Sequence, residues 1–119
     1  MAAMTGSIER PLNKGEEETE MAEKRVTVLA RVKAQAGLEE KVKQELLALV
    51  APSRSEEACI SYDLHQSLDD KTLFMFYETW ASREALDRHL SMPYLDAFDE
   101  NTEGMLAEPV EVTLWEMIC

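Results

Sequence analysis

A single predicted strand, residues 72–80, carries large apolar side chains on both faces, and this feature restricts the fold more than any other. One face presents Phe74, Phe76, Glu78 and Trp80, and the other presents Leu73, Met75, Tyr77 and Thr79. This alternation has the period of two that extended chains show. A sheet with one face in water carries polar residues on that face. Both faces of this strand must therefore be covered.

The segments around this strand predict the element order β-α-β-β-α-β. Alternating residues predict strands at 26–33, 59–66 and 110–117, and a short polar turn joins the second and third strands as a hairpin. An apolar stripe from Leu38 to Val50, closed by Pro52 and the Ser/Arg/Glu segment after it, predicts the first helix. Ser82 caps the second helix, which should break at Pro93 and restart. This order is that of the ferredoxin-like α+β fold, a four-stranded antiparallel sheet with both helices on one face.

The second predicted strand also alternates. Its residues divide into Ile60, Tyr62 and Leu64 on one face and Cys59, Ser61, Asp63 and His65 on the other. Because both helices lie on one face of the sheet, the chain has no element left to cover the other face. We expect a second copy to cover it, in a homodimer that packs sheet against sheet.

Residues 1–24 differ in composition from the rest of the chain. They combine glycines, a proline and the run Glu16-Glu17-Glu18 with no apolar periodicity, which is typical of a flexible acidic tail. Residues 25–119 then form one domain. The N-terminus has no secretory leader pattern, and no apolar run approaches the ~20 residues that a membrane helix needs. We therefore expect a cytoplasmic protein.

The charge and the motifs of the chain exclude several classes of function. The formal net charge of −12 would repel nucleic acid and anionic membranes, so neither is expected as a partner. Cys59 and Cys119 are the only cysteines, and His65 and His89 lie far apart with no cysteine beside either, so no metal site is expected. No glycine-rich phosphate loop, dinucleotide fingerprint or GxSxG elbow is present. An enzyme built on this chain is expected to work without a metal or an organic cofactor.

Two side chains are the candidates for proton transfer. The spacing of His89 from Ala85 and Leu86 turns it toward the sheet, where an imidazole suits acid–base work near neutral pH. Glu78 shares a strand face with three aromatic residues, where a carboxylate is costly to bury unless it is paired or protonated. The alternatives are structural: His89 bonded to a backbone carbonyl, and Glu78 paired with an arginine such as Arg31 or Arg83.

Aromatic residues and the second histidine are the candidates for substrate binding. They are Trp80, Tyr94, Phe74, Phe76, His65 and Tyr62. Trp80 can stack on a flat ligand, but it also fits a core or a dimer interface. Tyr94 could donate its hydroxyl into a pocket or place it in water, Tyr62 belongs to the core alternation, and His65 also fits a solvent-facing or interface position.

Three short motifs resemble the antibiotic biosynthesis monooxygenase family. They are Cys59-Ile60-Ser61-Tyr62-Asp63, Phe76-Tyr77-Glu78-Thr79-Trp80 and His89-Leu90-Ser91-Met92-Pro93-Tyr94. Members similar to quinol monooxygenases often read G-C-x-x-Y, Y-E-x-W and H-L-x-x-P-H. The resemblance covers roughly residues 26–117. Two positions depart from the pattern: Ala58 replaces the usual glycine, and Tyr94 replaces a common histidine, which alters any proton relay that uses that histidine.

The resemblance implies a dimeric α/β barrel that oxidises a quinol or phenol with O2, without metal or flavin. Deprotonation by His89 or Glu78 would make an electron-rich anion that reacts with O2, and the protein would stabilise the anion and exclude water. Haem-degrading relatives use other residues where this chain has Ala30, His89 and Asp99, so haem is not expected.

Two alternatives remain open. One is an isomerase of small phosphorylated hydroxyketones, which would need a cationic clamp for which only Arg31 and Arg83 look placed. The other is a dimeric ligand-binding or stress-response module without catalysis.

Overall fold

The alternating segments of the sequence form the four strands of one antiparallel sheet. The computed structural model describes residues 24–119, so the predicted tail lies outside the described residues except for Lys24. The strands are β1 Val26–Lys33, β2 Cys59–Gln66, β3 Leu73–Trp80 and β4 Glu111–Trp115. The helices are α1 Glu39–Leu47, α2 Val50–Arg54, α3 Arg83–Leu90 and α4 Pro93–Asn101.

The strands are ordered β2-β3-β1-β4, and each neighbouring pair is antiparallel. β1 is central, so that Ala30 lies opposite Phe76 of β3 on one side and Val112 of β4 on the other. With the helices following β1 and β3, this is the predicted ferredoxin-like α+β fold. None of the helices between residues 24 and 119 has the length and apolar composition that crossing a membrane requires.

The first predicted helix is divided in the structure. α1 ends at Leu47, and α2 continues from Val50 through Pro52 to Arg54. The helical region ends at Arg54, in the predicted Ser/Arg/Glu segment, but Pro52 itself lies inside α2 rather than at its end. Pro52 lies in the first turn of α2, where a backbone N–H has no partner within the helix and its loss costs little.

The break in the second helical region is confirmed. The Ser82 hydroxyl accepts a hydrogen bond from the Ala85 backbone N–H and caps α3. Met92 is extended (φ −69°, ψ 141°), and Pro93 begins α4 at its first position, where its fixed φ suits a helix start. The break separates α3 from α4.

A bulge near the start of β2 changes the predicted faces of that strand. Cys59 lies opposite Trp80 and Ser61 opposite Thr79, so Ile60 is the extra residue. The prediction that Ile60 shares a face with Tyr62 is wrong. Ile60 is exposed, and Cys59 lies on the face of Tyr62 instead.

The core fills the space between the sheet and the helices. Val28, Val32, Phe74 and Trp80 from the sheet pack there with apolar residues of the helices. The opposite side of the sheet, called the open face below, presents Leu29, Met75, Tyr77 and Trp115 among others. Tyr77 is 41% exposed on the open face. Both faces therefore carry large apolar residues, as the alternation predicts.

Candidate functional site

A cavity of about 250 Å³ lies between the helix-covered face of the sheet and helices α1, α3 and α4. Its sheet wall includes Val28, Ala30 and Tyr62, with Phe76 and Glu78 beside them, and its helical wall includes Leu46, His89 and Phe98. Most of these side chains are aliphatic or aromatic. The cavity is therefore a largely apolar space whose walls also carry ionisable side chains, with Glu78 on the sheet wall and His89 on the helical wall.

Glu78 lies on β3 at the sheet wall and is only 4% exposed. Its Oε1 accepts a hydrogen bond of 2.8 Å from the Trp80 indole N–H. Burial raises the pKa of Glu78 from 4.5 to about 7, the indole hydrogen bond offsets part of this rise, and the charge of Glu56 adds to it. Near neutral pH this side chain can therefore either hold or accept a proton.

His89 lies on the inner face of α3 and is 1% exposed. Its Nδ1 is 2.8 Å from Oε2 of Glu56. A carboxylate oxygen accepts, so Nδ1 is the donor, and the neutral ring keeps its lone pair on Nε2. The ring packs on Trp80 with centroids 4.4 Å apart. Carboxylate and indole together fix the orientation of the imidazole, which can act as a base through Nε2.

Tyr94 completes this group at the start of α4. Its hydroxyl donates to Oε2 of Glu56 and lies 3.4 Å from His89 Nδ1. Burial, followed by the hydrogen bond to the Glu56 carboxylate, raises the pKa of Tyr94 to about 12, so the phenol remains a donor. We call Glu56, His89 and Tyr94 the Glu56 cluster. It joins α3 and α4 to the segment between α2 and β2.

The structure brings some of the predicted site residues together and not others. Tyr62 and Phe76 line the cavity with Glu78 and His89. Trp80 is fully buried and does not line the cavity. It donates a hydrogen bond to Glu78 and packs on the ring of His89. Burial, and next the charge of Glu78, raises the pKa of Tyr62 above its ordinary range.

The other predicted residues lie elsewhere. Phe74 is buried in the core outside the cavity lining, and Tyr94 acts on Glu56 rather than on the cavity. His65 lies on the open face opposite Met75, with Nδ1 3.2 Å from the Asp63 carbonyl oxygen. Since side chains alternate along β2, His65 cannot reach the helix-covered face. The proposed arginine partners of Glu78 are engaged elsewhere, Arg31 with Glu108 and Arg83 with Asp87.

Glu56 is the candidate site residue that the sequence does not reveal. It lies in the polar run Ser53-Arg54-Ser55-Glu56-Glu57, where a carboxylate is ordinarily solvated. Its contact with His89 spans 33 positions and depends on how α2 packs on β2 and how α3 packs on β3. No local spacing signals such a contact. The weak available signal is that His89, turned inward, needs a hydrogen-bond partner.

The structure gives little basis for metal or thiol chemistry at the cavity. No group of three or more His, Cys, Asp or Glu side chains within residues 24–119 is arranged to hold a metal ion. Cys59 and Cys119 are both free thiols. Burial, together with the charge of Glu78, raises the pKa of Cys59 to about 11, which disfavours the reactive thiolate.

Comparisons with known proteins agree with this architecture. PA3566 from Pseudomonas aeruginosa superimposes with a TM-score of 0.78 at 35% identity, covering 82% of this chain and 98% of that one. Rv0793 from Mycobacterium tuberculosis, provisionally named a monooxygenase, is 35% identical over 89 residues, 75% of this chain and 87% of that protein. Its solved structure gives a TM-score of 0.75 at 30% identity and covers 80% of this chain and 96% of that one.

A relative from Synechocystis sp., the uncharacterized protein sll1783, is 38% identical over 79 residues. The match covers 63% of this chain and 54% of that protein, so the chain spans about half the length of this relative. The family model for antibiotic biosynthesis monooxygenase matches residues 25–108, which include β1 to α4 and every cavity residue up to Asp99. The chain belongs to the antibiotic biosynthesis monooxygenase family.

Proposed function

We propose that this protein is a cofactor-independent monooxygenase that oxidises a quinol or another phenolic compound with O2. The observation that carries the proposal is the apolar cavity of about 250 Å³ with His89 and Glu78 in its opposite walls. An apolar cavity of roughly 150 Å³ can hold benzene. The larger volume here suits an aromatic compound of one or two fused rings.

His89 takes the hydroxyl proton of the substrate in the first step. Glu56 orients the ring so that Nε2 is the accepting atom, and it stabilises the imidazolium that forms. The resulting aryloxide gives one electron to O2, and the aryloxyl radical and superoxide combine to form a C–O bond at a ring carbon. The surrounding apolar walls keep water from quenching these intermediates.

The same histidine completes the reaction. The imidazolium protonates the outer peroxide oxygen, and His89 then takes the proton of the ring C–H bond. The O–O bond breaks, a second carbonyl forms, and the hydroxide that leaves takes this proton and becomes water. One naphthol and one O2 thus give one quinone and one water, so that the substrate supplies every electron.

Glu78 assists from the sheet wall. With a pKa of about 7, its neutral form is well populated near neutral pH, and a neutral carboxylic acid can donate a hydrogen bond to a substrate oxygen. Trp80 occupies its Oε1, so the proton resides on Oε2. Tyr62 and Phe76 provide aromatic contacts for the ring of the substrate.

We also propose that two copies associate through their open faces. Leu29 lies opposite Tyr77 on this face, with Met75 and Trp115 nearby, and a solvated sheet face seldom carries so many large apolar residues. Light scattering should give the mass of a dimer in dilute solution. A stable monomer would contradict this proposal and would leave the chemistry of the cavity untouched.

Oxygen uptake tests the proposed activity. The protein is supplied with a panel of quinols and naphthols in the presence of a strong chelator, with electrode recording of O2 and chromatographic detection of quinone. We expect one O2 consumed per quinone formed and no hydrogen peroxide. Turnover that persists without oxygen would indicate the isomerase instead. Ligand-induced thermal stabilisation without any conversion would indicate a binding module.

A further inference from the structure

The mouth of the cavity has two chemically different sides. On the strand side, Val110 and Val112 line it and are 36% and 43% exposed. On the helical side, Asp96 and Asp99 of α4 line it together with Leu90 of α3, and all three are exposed to solvent. A ligand that enters there therefore meets apolar side chains and two carboxylates.

No compensating positive charge is found in the part of the lining that the described residues form. Among residues 24–119, no lysine or arginine lines the cavity, and its ionisable members besides the two aspartates are Tyr62, Glu78 and His89. The imidazole of His89 is already paired with the carboxylate of Glu56. The one negative charge that the reaction creates, the aryloxide, is matched by the proton that His89 takes from it. A second negative charge on the substrate would find no partner.

We infer that the cavity accepts uncharged aromatic substrates and rejects their carboxylated, sulfonated or phosphorylated counterparts, and that Asp96 and Asp99 set this selection. The inference rests on the proposed function and names the class of substrate for it. The apolar edge formed by Val110 and Val112 favours an uncharged substituent at the mouth. The two carboxylates repel an anionic substituent, which would also lose its hydration there.

Equilibrium binding under nitrogen tests the inference without any turnover. The probes are 1-naphthol-4-sulfonamide and 1-naphthol-4-sulfonate, which have nearly the same shape and differ in charge. Titration calorimetry should give a dissociation constant at least about tenfold lower for the sulfonamide. The difference should shrink as salt rises, since the mouth is exposed to solvent.

Two double variants with the same change in net charge show whether Asp96 and Asp99 cause the preference for the uncharged probe. Asp96→Asn with Asp99→Asn should reduce the preference for the sulfonamide by about tenfold. Glu100→Gln with Glu103→Gln removes two charges close by on α4 and the turn after it, at positions outside the cavity lining, and should leave the preference nearly unchanged.

Each outcome is decisive. Equal affinity for both probes, or an equal effect of the two double variants, overturns the assignment to Asp96 and Asp99. Binding of neither probe overturns the inference together with the proposed function. Selective binding without oxygen uptake by any quinol or naphthol keeps the selection rule and contradicts only the monooxygenase proposal.

Discussion

Two carboxylates close to the cavity differ in what surrounds them. Glu78 projects from the sheet, buried, with an indole N–H as its hydrogen-bond partner. Glu56 lies beyond the end of α2 and accepts from His89 and Tyr94. Burial dominates the environment of Glu78 and raises its pKa to about 7. Glu56 has an imidazole beside it that can become a cation.

This difference separates the roles of the two walls. A desolvated carboxylate with one neutral donor favours its protonated form, whereas a carboxylate beside an imidazole stabilises a positive charge on that ring. The helical wall is therefore suited to take a proton from the substrate, and the sheet wall is suited to supply a neutral hydrogen-bond donor.

Removal of the imidazole should cause the largest loss. If His89 is the base, His89→Ala should lower kcat for quinol oxidation by about 10²–10⁴-fold, as measured by oxygen uptake. His65→Ala, which changes the histidine on the open face, is the matched control and should retain the rate. An unchanged rate in the His89 variant would remove it from the mechanism.

Glu78→Gln should stabilise the protein at high pH. The folded pKa of about 7 lies above the ordinary 4.5, so the native state binds more protons than the unfolded state between these values, and the free energy of unfolding falls as pH rises through this window. The difference between these two pKa values corresponds to about 3 kcal/mol in the free energy of unfolding. Glutamine can keep the indole hydrogen bond without a charge.

Urea unfolding measures this effect at two pH values. The Glu78→Gln variant should be more stable than wild type by about 3 kcal/mol at a pH near 8 and no more stable at a pH near 4. Glu84→Gln, on the exposed surface of α3, should have the same free energy of unfolding as wild type at both pH values. A pH-independent difference would show that Glu78 is not buried as a proton-holding group.

Glu56→Gln should have a smaller effect than removal of His89. The amide still occupies the space beside Nδ1, but it no longer supplies a negative charge to the imidazolium. A hydrogen bond to a charged group is worth about 1.5–3 kcal/mol, which corresponds to roughly 10–100-fold in rate. The loss should appear in kcat rather than KM, with a changed pH–rate profile. Its neighbour Glu57 is exposed, and Glu57→Gln should leave both parameters unchanged.

Tyr94→Phe should have the smallest effect. The phenol donates to Glu56, and loss of one such hydrogen bond costs about 1 kcal/mol of stability. We expect a several-fold lower kcat, because Glu56 is held less firmly. Tyr77→Phe, on the open face, is the control. A Tyr94→Phe loss as large as that of His89→Ala would mean that the phenol itself transfers a proton.

The fold could be read from the sequence because it depends on local periodicity. Alternating residues predict β1, β3 and β4, and the helical stripe predicts α1. Ser82 and Pro93 mark where α3 and α4 begin. The structure differs from the sequence prediction at two single residues. Ile60 forms a bulge in β2, and Pro52 lies in the first turn of α2. Such details are set by packing with neighbouring elements rather than by the pattern of the segment itself.

The site was only partly readable for the same reason. Glu78 and His89 stand out because each places an ionisable group on an apolar face, a conflict that sequence reveals. Glu56 lies in a polar loop where a carboxylate creates no conflict, and only the packing of α2 on β2 and of α3 on β3 brings it to His89. The position of His65 follows from strand alternation, but the sequence does not say which face the helices cover.

The most direct test of the central claim is a crystal structure of the protein with 1-naphthol bound under nitrogen. The account predicts that the rings lie in the cavity against Tyr62 and Phe76, with the hydroxyl about 2.6–3.2 Å from His89 Nε2. A naphthol bound on the open face, or one whose hydroxyl contacts Glu78 while His89 touches no part of it, would contradict the account.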